Sequence, residues 1–303
     1  MKSGFIAILG RPNVGKSSLM NALIGEKVAI VSPKAQTTRN RAHGILTEND
    51  YQIIFVDTPG VHKPKNKLGA YMNKCIAVAS EDVDAIVIVL DVSKPIRDTD
   101  IEFIEKHLRS DTPVILVLNK VDVVNYEKVY PILSRLNYLT QADGSRRAIK
   151  DIIPLSAKKQ KNVDVLKKVL LELIPEGPFY YPSDEITDKS ERYMISEIVR
   201  EKALLLLGDE IPHGIGVTIQ NMFYDEHKTA HIAIDIVAEK STHKSIIIGK
   251  NGEMLKAIAE RARKDVERLL DSKVYMEMFV KIREDWRNDT LVMNDIGYNP
   301  KKV

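Results

Sequence analysis

Gly10-Arg11-Pro12-Asn13-Val14-Gly15-Lys16-Ser17 is the stretch on which the fold turns. It follows the apolar run Phe5-Ile6-Ala7-Ile8-Leu9 and precedes a helical pattern over 17–24, so a buried strand enters a glycine loop that opens a helix. In G-x-x-x-x-G-K-[ST] the glycines let backbone N–H groups curl around phosphates, and the helix N-terminus adds a favourable dipole. The lysine of the motif reaches the β- and γ-phosphates and the hydroxyl binds Mg²⁺. Gly10 to Ser17, with Ser18 behind them, therefore read as a nucleotide-phosphate site, with Lys16 beside the reacting phosphoryl group and Ser17 on the metal.

Outward from this loop, residues 52–56, 85–90 and 113–118 are near-continuous apolar runs, and helical patterns cover 97–109 and 161–173. Strands of this kind are buried on both faces, as in a mostly parallel sheet covered by helices, with ligand at the strands' carboxyl ends. Asp57-Thr58-Pro59-Gly60 closes one such strand: the carboxylate can hold Mg²⁺ through water, and the Gly60 N–H can contact a γ-phosphate. Asn119-Lys120-Val121-Asp122 closes another. Guanine offers two adjacent donors that a carboxylate such as Asp122 accepts together, whereas adenine would leave that buried carboxylate unpaired. Lys120 can lie across the base plane, Asn119 can tie the loops together, and Ser156-Ala157-Lys158 can offer backbone N–H groups to guanine O6.

The 303 residues suit two domains, and 44% hydrophobic with 29% charged residues excludes wholesale disorder. The single cysteine, Cys75, fits a reducing compartment, the N-terminus runs straight into the glycine loop with no room for a cleavable signal, and no apolar run reaches the ~18 residues of a membrane span. A cytoplasmic protein is expected. Ile174 to Pro182, with three prolines and a glycine, reads as a linker. Beyond it a helix near 188–207, strands near 215–223 and 230–238, a helix at 252–270 and the alternating strand Val274 to Ile282 make a smaller α+β domain. Charge changes sign here: residues 176–239 hold 13 acidic and 5 basic residues, and residues 240–283 hold 11 basic and 6 acidic. In the basic stretch Ile246 to Gly252 contains G-x-x-G, between an apolar segment and an amphipathic helix. A KH module clamps about four nucleotides of single-stranded nucleic acid with such a turn. Ile248, Gly249, Lys250, Asn251 and Gly252, flanked by Lys244 and Lys256, are the expected RNA contacts. The strand order around them resembles a type II KH domain. The seven histidines show no metal-ligand spacing.

In their order the nucleotide motifs resemble the translation-factor-like class of P-loop GTPases. In that class a threonine closes onto Mg²⁺ in the GTP state, and in Gln36-Thr37-Thr38-Arg39 it is expected to be Thr38 rather than Thr37. Residues 61–67 would form the second switch. Small GTPases of the Ras type orient water with a glutamine after the D-x-x-G glycine, but here Val61 stands there and can neither donate nor accept. The G-x-P-N-V-G-K-S loop resembles GTPases in which the asparagine, here Asn13, helps hold a K⁺ ion against the phosphates. With Q-T-T-R, with D-T-P-G followed by a basic stretch, and with the ending Val280 to Arg287 and Leu291 to Tyr298, the whole chain resembles the Era GTPases of bacteria. The resemblance implies a GTPase domain over 1–174, a linker over 175–190 and a KH domain over 191–303 with its core near 202–283. It also implies Mg²⁺, binding near the 3′ end of 16S rRNA, maturation of the 30S subunit and peripheral association with the membrane; a monomer is expected. The alternative, from the residues alone, is a GTP-dependent adaptor whose second domain binds protein or a membrane surface.

Overall fold

Alternate residues of the apolar runs serve two different cores. Along β1 (Lys2–Gly10), Ile6 and Ile8 join one cluster while Ala7 and Leu9 join another. Along β4 (Ala85–Asp91), Val87 and Val89 face one way and Ile86, Ile88 and Leu90 the other. Both faces of the sheet are therefore dry, which is why these strands carry no polar alternation. The computed structural model describes the chain except residues 35, 62, 63, 142–146, 209, 210, 302 and 303, so His62 and Lys63 of the expected second switch lie outside the described residues. It divides into two units, one made of Met1–Ala29, Thr38–His62 and Cys75–Asp188, the other of Ile30–Thr37, Lys63–Lys74 and Lys189–Val303.

The first unit is an α/β sheet of six strands in the order β2-β3-β1-β4-β5-β6. Besides β1 and β4 it contains β2 (Ala42–Glu48), β3 (Tyr51–Asp57), β5 (Val114–Asn119) and β6 (Asp151–Pro154). Only β2 runs antiparallel to its neighbour. Helices α1 (Lys16–Ile24), α3 (Asp98–Leu108), α4 (Tyr126–Leu136) and α5 (Val163–Leu173) belong to this unit, while α2 (Lys67–Ala79) starts in the second unit and ends in the first. The proline-rich stretch after α5 is hydrogen-bonded along the open side of β2. Ile45 N–H donates to the Ile186 carbonyl at 2.9 Å, and the Gln52 side chain accepts from the N–H groups of Tyr180 and Tyr181.

The second unit holds a three-stranded sheet, β7 (Gly216–Tyr224), β8 (Ala230–Ala238) and β9 (Val274–Ile282), in that order, with β8 and β9 parallel. α6 (Glu191–Leu206), α7 (Ser241–Ile248) and α8 (Glu253–Leu270) build one apolar core with its inner face, using Ile198, Ile247, Ile258, Ala262 and Val266. The segment before G-x-x-G reads as a plain apolar run, because three consecutive isoleucines mask helical periodicity. It is the helix α7, with Ile247 buried and Ile246 turned to solvent. After β9 the chain closes with α9 (Thr290–Asp295) and with Trp286, fully buried, whose indole N–H donates to the Gly214 carbonyl at 2.9 Å and whose ring stacks on Tyr298.

Trp286→Phe keeps an aromatic ring in that place but leaves the buried Gly214 carbonyl without its donor. A loss of about 1–3 kcal/mol is expected for such a group. Urea unfolding of the full chain followed by circular dichroism measures it, and an unchanged midpoint would show that the hydrogen bond contributes nothing.

Candidate functional site

The glycine loop sits where β1 ends, at the carboxyl edge of the sheet. Gly10 and Gly15 adopt φ of 143° and 101°, and Asn13 is also left-handed at 65°. A Cβ at Gly15 would stand 2.3 Å from the Asn119 amide nitrogen, and one at Gly60 would stand 2.5 Å from the Pro12 nitrogen. Two of the motif strands thus approach the loop so closely that only hydrogen fits. Lys16 opens α1 and curls back over the loop, donating to the carbonyls of Gly10 at 3.2 Å and Arg11 at 3.1 Å. Burial pushes its ammonium down to about 8, with Asp57 pulling the other way.

Asp57, at the end of β3, has no solvent exposure. Its Oδ2 accepts from the Ser17 hydroxyl at 2.7 Å and the Thr38 hydroxyl at 3.2 Å, and those two hydroxyls lie 2.9 Å apart. Its Oδ1 is buried with no hydrogen-bond partner. Desolvation raises the carboxyl's pKa, opposed by Lys16 and the two hydroxyls. Hard oxygen donors with one orphaned carboxylate oxygen suit Mg²⁺ with its retained waters. Thr37 points elsewhere, its hydroxyl bonding Ser32 and the Lys34 carbonyl. Thr58 donates to the Ile8 carbonyl, and Val61 N–H donates to the Gly10 carbonyl, so the turn through Pro59 and Gly60 is laid against the loop.

The residues expected to read the base form one network at the ends of β5 and β6. Asn119 donates to the Val14 carbonyl at 2.8 Å and accepts from the N–H groups of Lys120 and Ala157. Ser156, buried, donates to Asp122 Oδ1 at 2.6 Å, while Lys158 is exposed. Lys120 Nζ donates to the Asn13 carbonyl at 2.8 Å and to Asp91 at 2.7 Å. Asp91 joins this network through Lys120 and motif reading misses it, although its place at the carboxyl end of β4 is a signal. Burial pushes its carboxyl up, but Lys120 and Ser93 bring it below the ordinary value.

In the second unit α7 and α8 meet at Gly249-Lys250-Asn251-Gly252. Gly249 has φ 75°, Asn251 52° and Gly252 80°, and a Cβ at Gly249 would strike Met254 at 2.7 Å. Lys250, Asn251 and Lys256 are exposed there, while Lys244 and Ile248 are half-buried. α8 buries Ile258, Ala262 and Val266 and turns Arg261, Arg263, Lys264 and Arg268 outward.

The family model for a 50S ribosome-binding GTPase matches residues 5–120, and that for a KH domain matches residues 210–287. GTPase Era of Clostridium botulinum (strain Kyoto / Type A2) is 48% identical over 301 residues, covering 99% of each chain. GTPase Era of Clostridium kluyveri is 49% identical over 298 residues, covering 98% of this chain and 99% of its own. A solved structure of Era in complex with MgGDPNP and nucleotides 1506–1542 of 16S ribosomal RNA is similar at a TM-score of 0.92, with 38% identity and 99% of each chain covered. A variant of Aquifex aeolicus Era bound to GDP.AlF4⁻ matches equally well, at 0.92 and 38%, over 99% of this chain and all of its own.

Two outcomes are expected at this site. Asp122→Asn removes the negative charge and turns one of the two acceptor oxygens into a donor, and should lower affinity for GDP by roughly 100-fold or more, read by fluorescent-nucleotide titration, while the remaining oxygen can keep the Ser156 contact. A lysine held near 8 in the free protein must be charged to meet a phosphate. GDP affinity should therefore be flat below about pH 7.5 and fall by up to about tenfold per pH unit above 8, with proton uptake on binding. Equal affinity at about pH 7 and 9.5 would contradict that assignment.

Proposed function

Because the chain belongs to the Era family of GTPases, we propose that its GTP cycle controls a grip on single-stranded RNA near the 3′ end of 16S rRNA during assembly and maturation of the 30S subunit. The protein is a GTPase that uses Mg²⁺ and converts GTP to GDP and phosphate. In this reading residues 1–174 do the nucleotide chemistry, 175–190 link, and 191–303 hold RNA. The observation that carries it is the convergence of the Ser17, Thr38 and Asp57 oxygens beside Lys16, in the same unit as the Asn119–Asp122–Ser156 network.

Each group then has a task. The N–H groups of Gly10 to Ser18 cradle the phosphates, and Lys16 leaves its loop carbonyls to donate to β- and γ-oxygens. Ser17 and Thr38 hold Mg²⁺ directly and Asp57 holds it through water; the ion neutralises charge on the phosphates. Gly60 N–H meets the γ-phosphate, so loss of that group releases both Thr38 and the turn that follows Asp57. Asp122 accepts guanine's paired donors, Lys120 lies on the base plane, and Ser156 to Lys158 approach O6. Val61 leaves water to be oriented by another group. We assign to Asn13 a share in holding K⁺, a fixed cation that would supply the charge an arginine finger supplies elsewhere.

The exposed turn Gly249 to Gly252 and the basic face of α8 support the RNA half: helix ends bring N–H groups to phosphates, and Lys250, Lys244 and Lys256 add charge without base specificity. The relative solved with 16S rRNA favours this over an adaptor for protein or membrane. We further propose a monomer in the cytoplasm whose membrane contact is peripheral. No helix among the described residues is long and apolar enough to cross a membrane.

Replacing Lys250 and Asn251 by Asp should abolish binding of a single-stranded 16S 3′ fragment and leave GTP affinity unchanged, as measured by filter binding across a salt series. Undiminished RNA affinity would reinstate the adaptor. For the cation, GTP turnover should be several-fold faster in K⁺ than in Na⁺, and Asn13→Ala should erase the difference.

A further inference from the structure

Residues 30–37, the segment that leads into Thr38, belong to the second unit, and two neighbouring side chains of α6 grip its backbone at both ends. Near its start, Val31 N–H donates to Glu201 Oε1 at 2.9 Å. At its end, the Arg200 guanidinium donates to the Thr37 carbonyl while its other contacts go to Glu197. Both gripping residues are almost inaccessible, Arg200 at 1% and Glu201 at 3% exposure. Charges this deep are costly unless every nearby donor and acceptor is used, so the segment's backbone is part of what satisfies them. One guanidinium nitrogen of Arg200, Nη1, is buried without a partner. The grip continues on the far side of Glu201: Lys202 Nζ bonds Glu201 Oε2 at 2.7 Å and also Asp265 Oδ2 on α8. α8 is the helix that begins at Gly252 of the glycine turn.

We propose that Arg200 and Glu201 read the placement of the backbone at Val31 and Thr37, and that Lys202 passes it to α8 through Asp265. These are positioning residues, which touch neither nucleotide nor RNA. Thr38 follows Thr37 directly and bonds Asp57 and Ser17, so any event that frees Thr38 loosens the carbonyl that Arg200 holds. Once Val31 N–H leaves, Glu201 must recover its lost hydrogen bond from Lys202 or from water, which changes the hold of Lys202 on Asp265. On this proposal the segment would have a second arrangement with different side-chain partners, which is what a coupling between distant ligands requires. The inference rests on the reading that nucleotide state governs RNA binding.

The full-length protein is titrated with the labelled 16S fragment 1506–1542, once with GDPNP and once with GDP. The observable is the ratio of the two RNA dissociation constants. For the wild type a ratio of at least about fivefold in either direction is expected. Glu201→Gln keeps shape and removes charge, and Asp265→Asn does the same at the far end of the link, at a site near the surface where folding is little threatened. Each should bring the ratio to within about twofold of unity. The double variant should do no more, because the two act in series. By linkage, RNA should also cease to alter GDPNP affinity. A general weakening of RNA binding would lower both affinities and leave the ratio intact. A wild-type ratio above fivefold that survives in Asp265→Asn overturns the relay alone, whereas a wild-type ratio of one overturns the nucleotide-gated reading and the relay with it.

Discussion

A carboxylate sealed from water, Asp57, is the constraint around which the nucleotide unit is arranged. Taking a charge out of solvent is costly unless donors and a counter-charge surround it. Here the Ser17 and Thr38 hydroxyls and the neighbouring Lys16 ammonium supply them. Their positions come from different stretches of chain: Lys16 and Ser17 open α1, Asp57 ends β3, and Thr38 lies in the connection before β2. The sheet must be dry on both faces to hold β3 in place, and the loop must be glycine where Asn119 passes over it. Stability and affinity would pull against one another at this point, since the burial that depresses the Lys16 ammonium is the same burial that would strengthen its hold on a phosphate.

Much of this was legible because the physics is local. An unbroken aliphatic run means two dry faces, so β1, β4 and β5 could be read from sequence alone, and the strict alternation of Val274 to Ile282 marks a strand dry on one side. The order of the nucleotide motifs placed Lys16 where a helix opens and Asp57 and Asn119 at strand ends. Other features depend on partners far along the chain. β2 has no pattern of its own in Ala42-His43-Gly44 and exists because β3 pairs with it. α7 is hidden by its isoleucines. Arg200 and Glu201 read as ordinary helix charges, and nothing within ten residues reveals that they are buried against a segment some 165 positions earlier.

The RNA unit uses the opposite electrostatic strategy. Its glycine turn is open rather than sealed, with left-handed residues at Gly249, Asn251 and Gly252 turning two helices toward a common point. The cations of α8 remain in solvent, where charge acts at long range and responds to salt. A deep, directional pocket selects one small ligand, whereas an exposed cationic face accepts a flexible polymer and leaves discrimination to groups beside the turn.

The strap formed by the stretch from Tyr180 to Asp188 has a consequence for solubility. A sheet of this kind has two flanks whose free amides and carbonyls could template a stranger's chain. One flank, β6, is only four residues long and ends in Pro154, which has no amide to offer. The other, β2, is long enough to recruit, but Ile186 and Thr187 already occupy its main chain and the Asp188 carboxylate takes the His43 amide. Proteolytic nicking within the strap would therefore be expected to unmask an adhesive border on an otherwise intact fold, and to show itself as self-association before any loss of nucleotide binding.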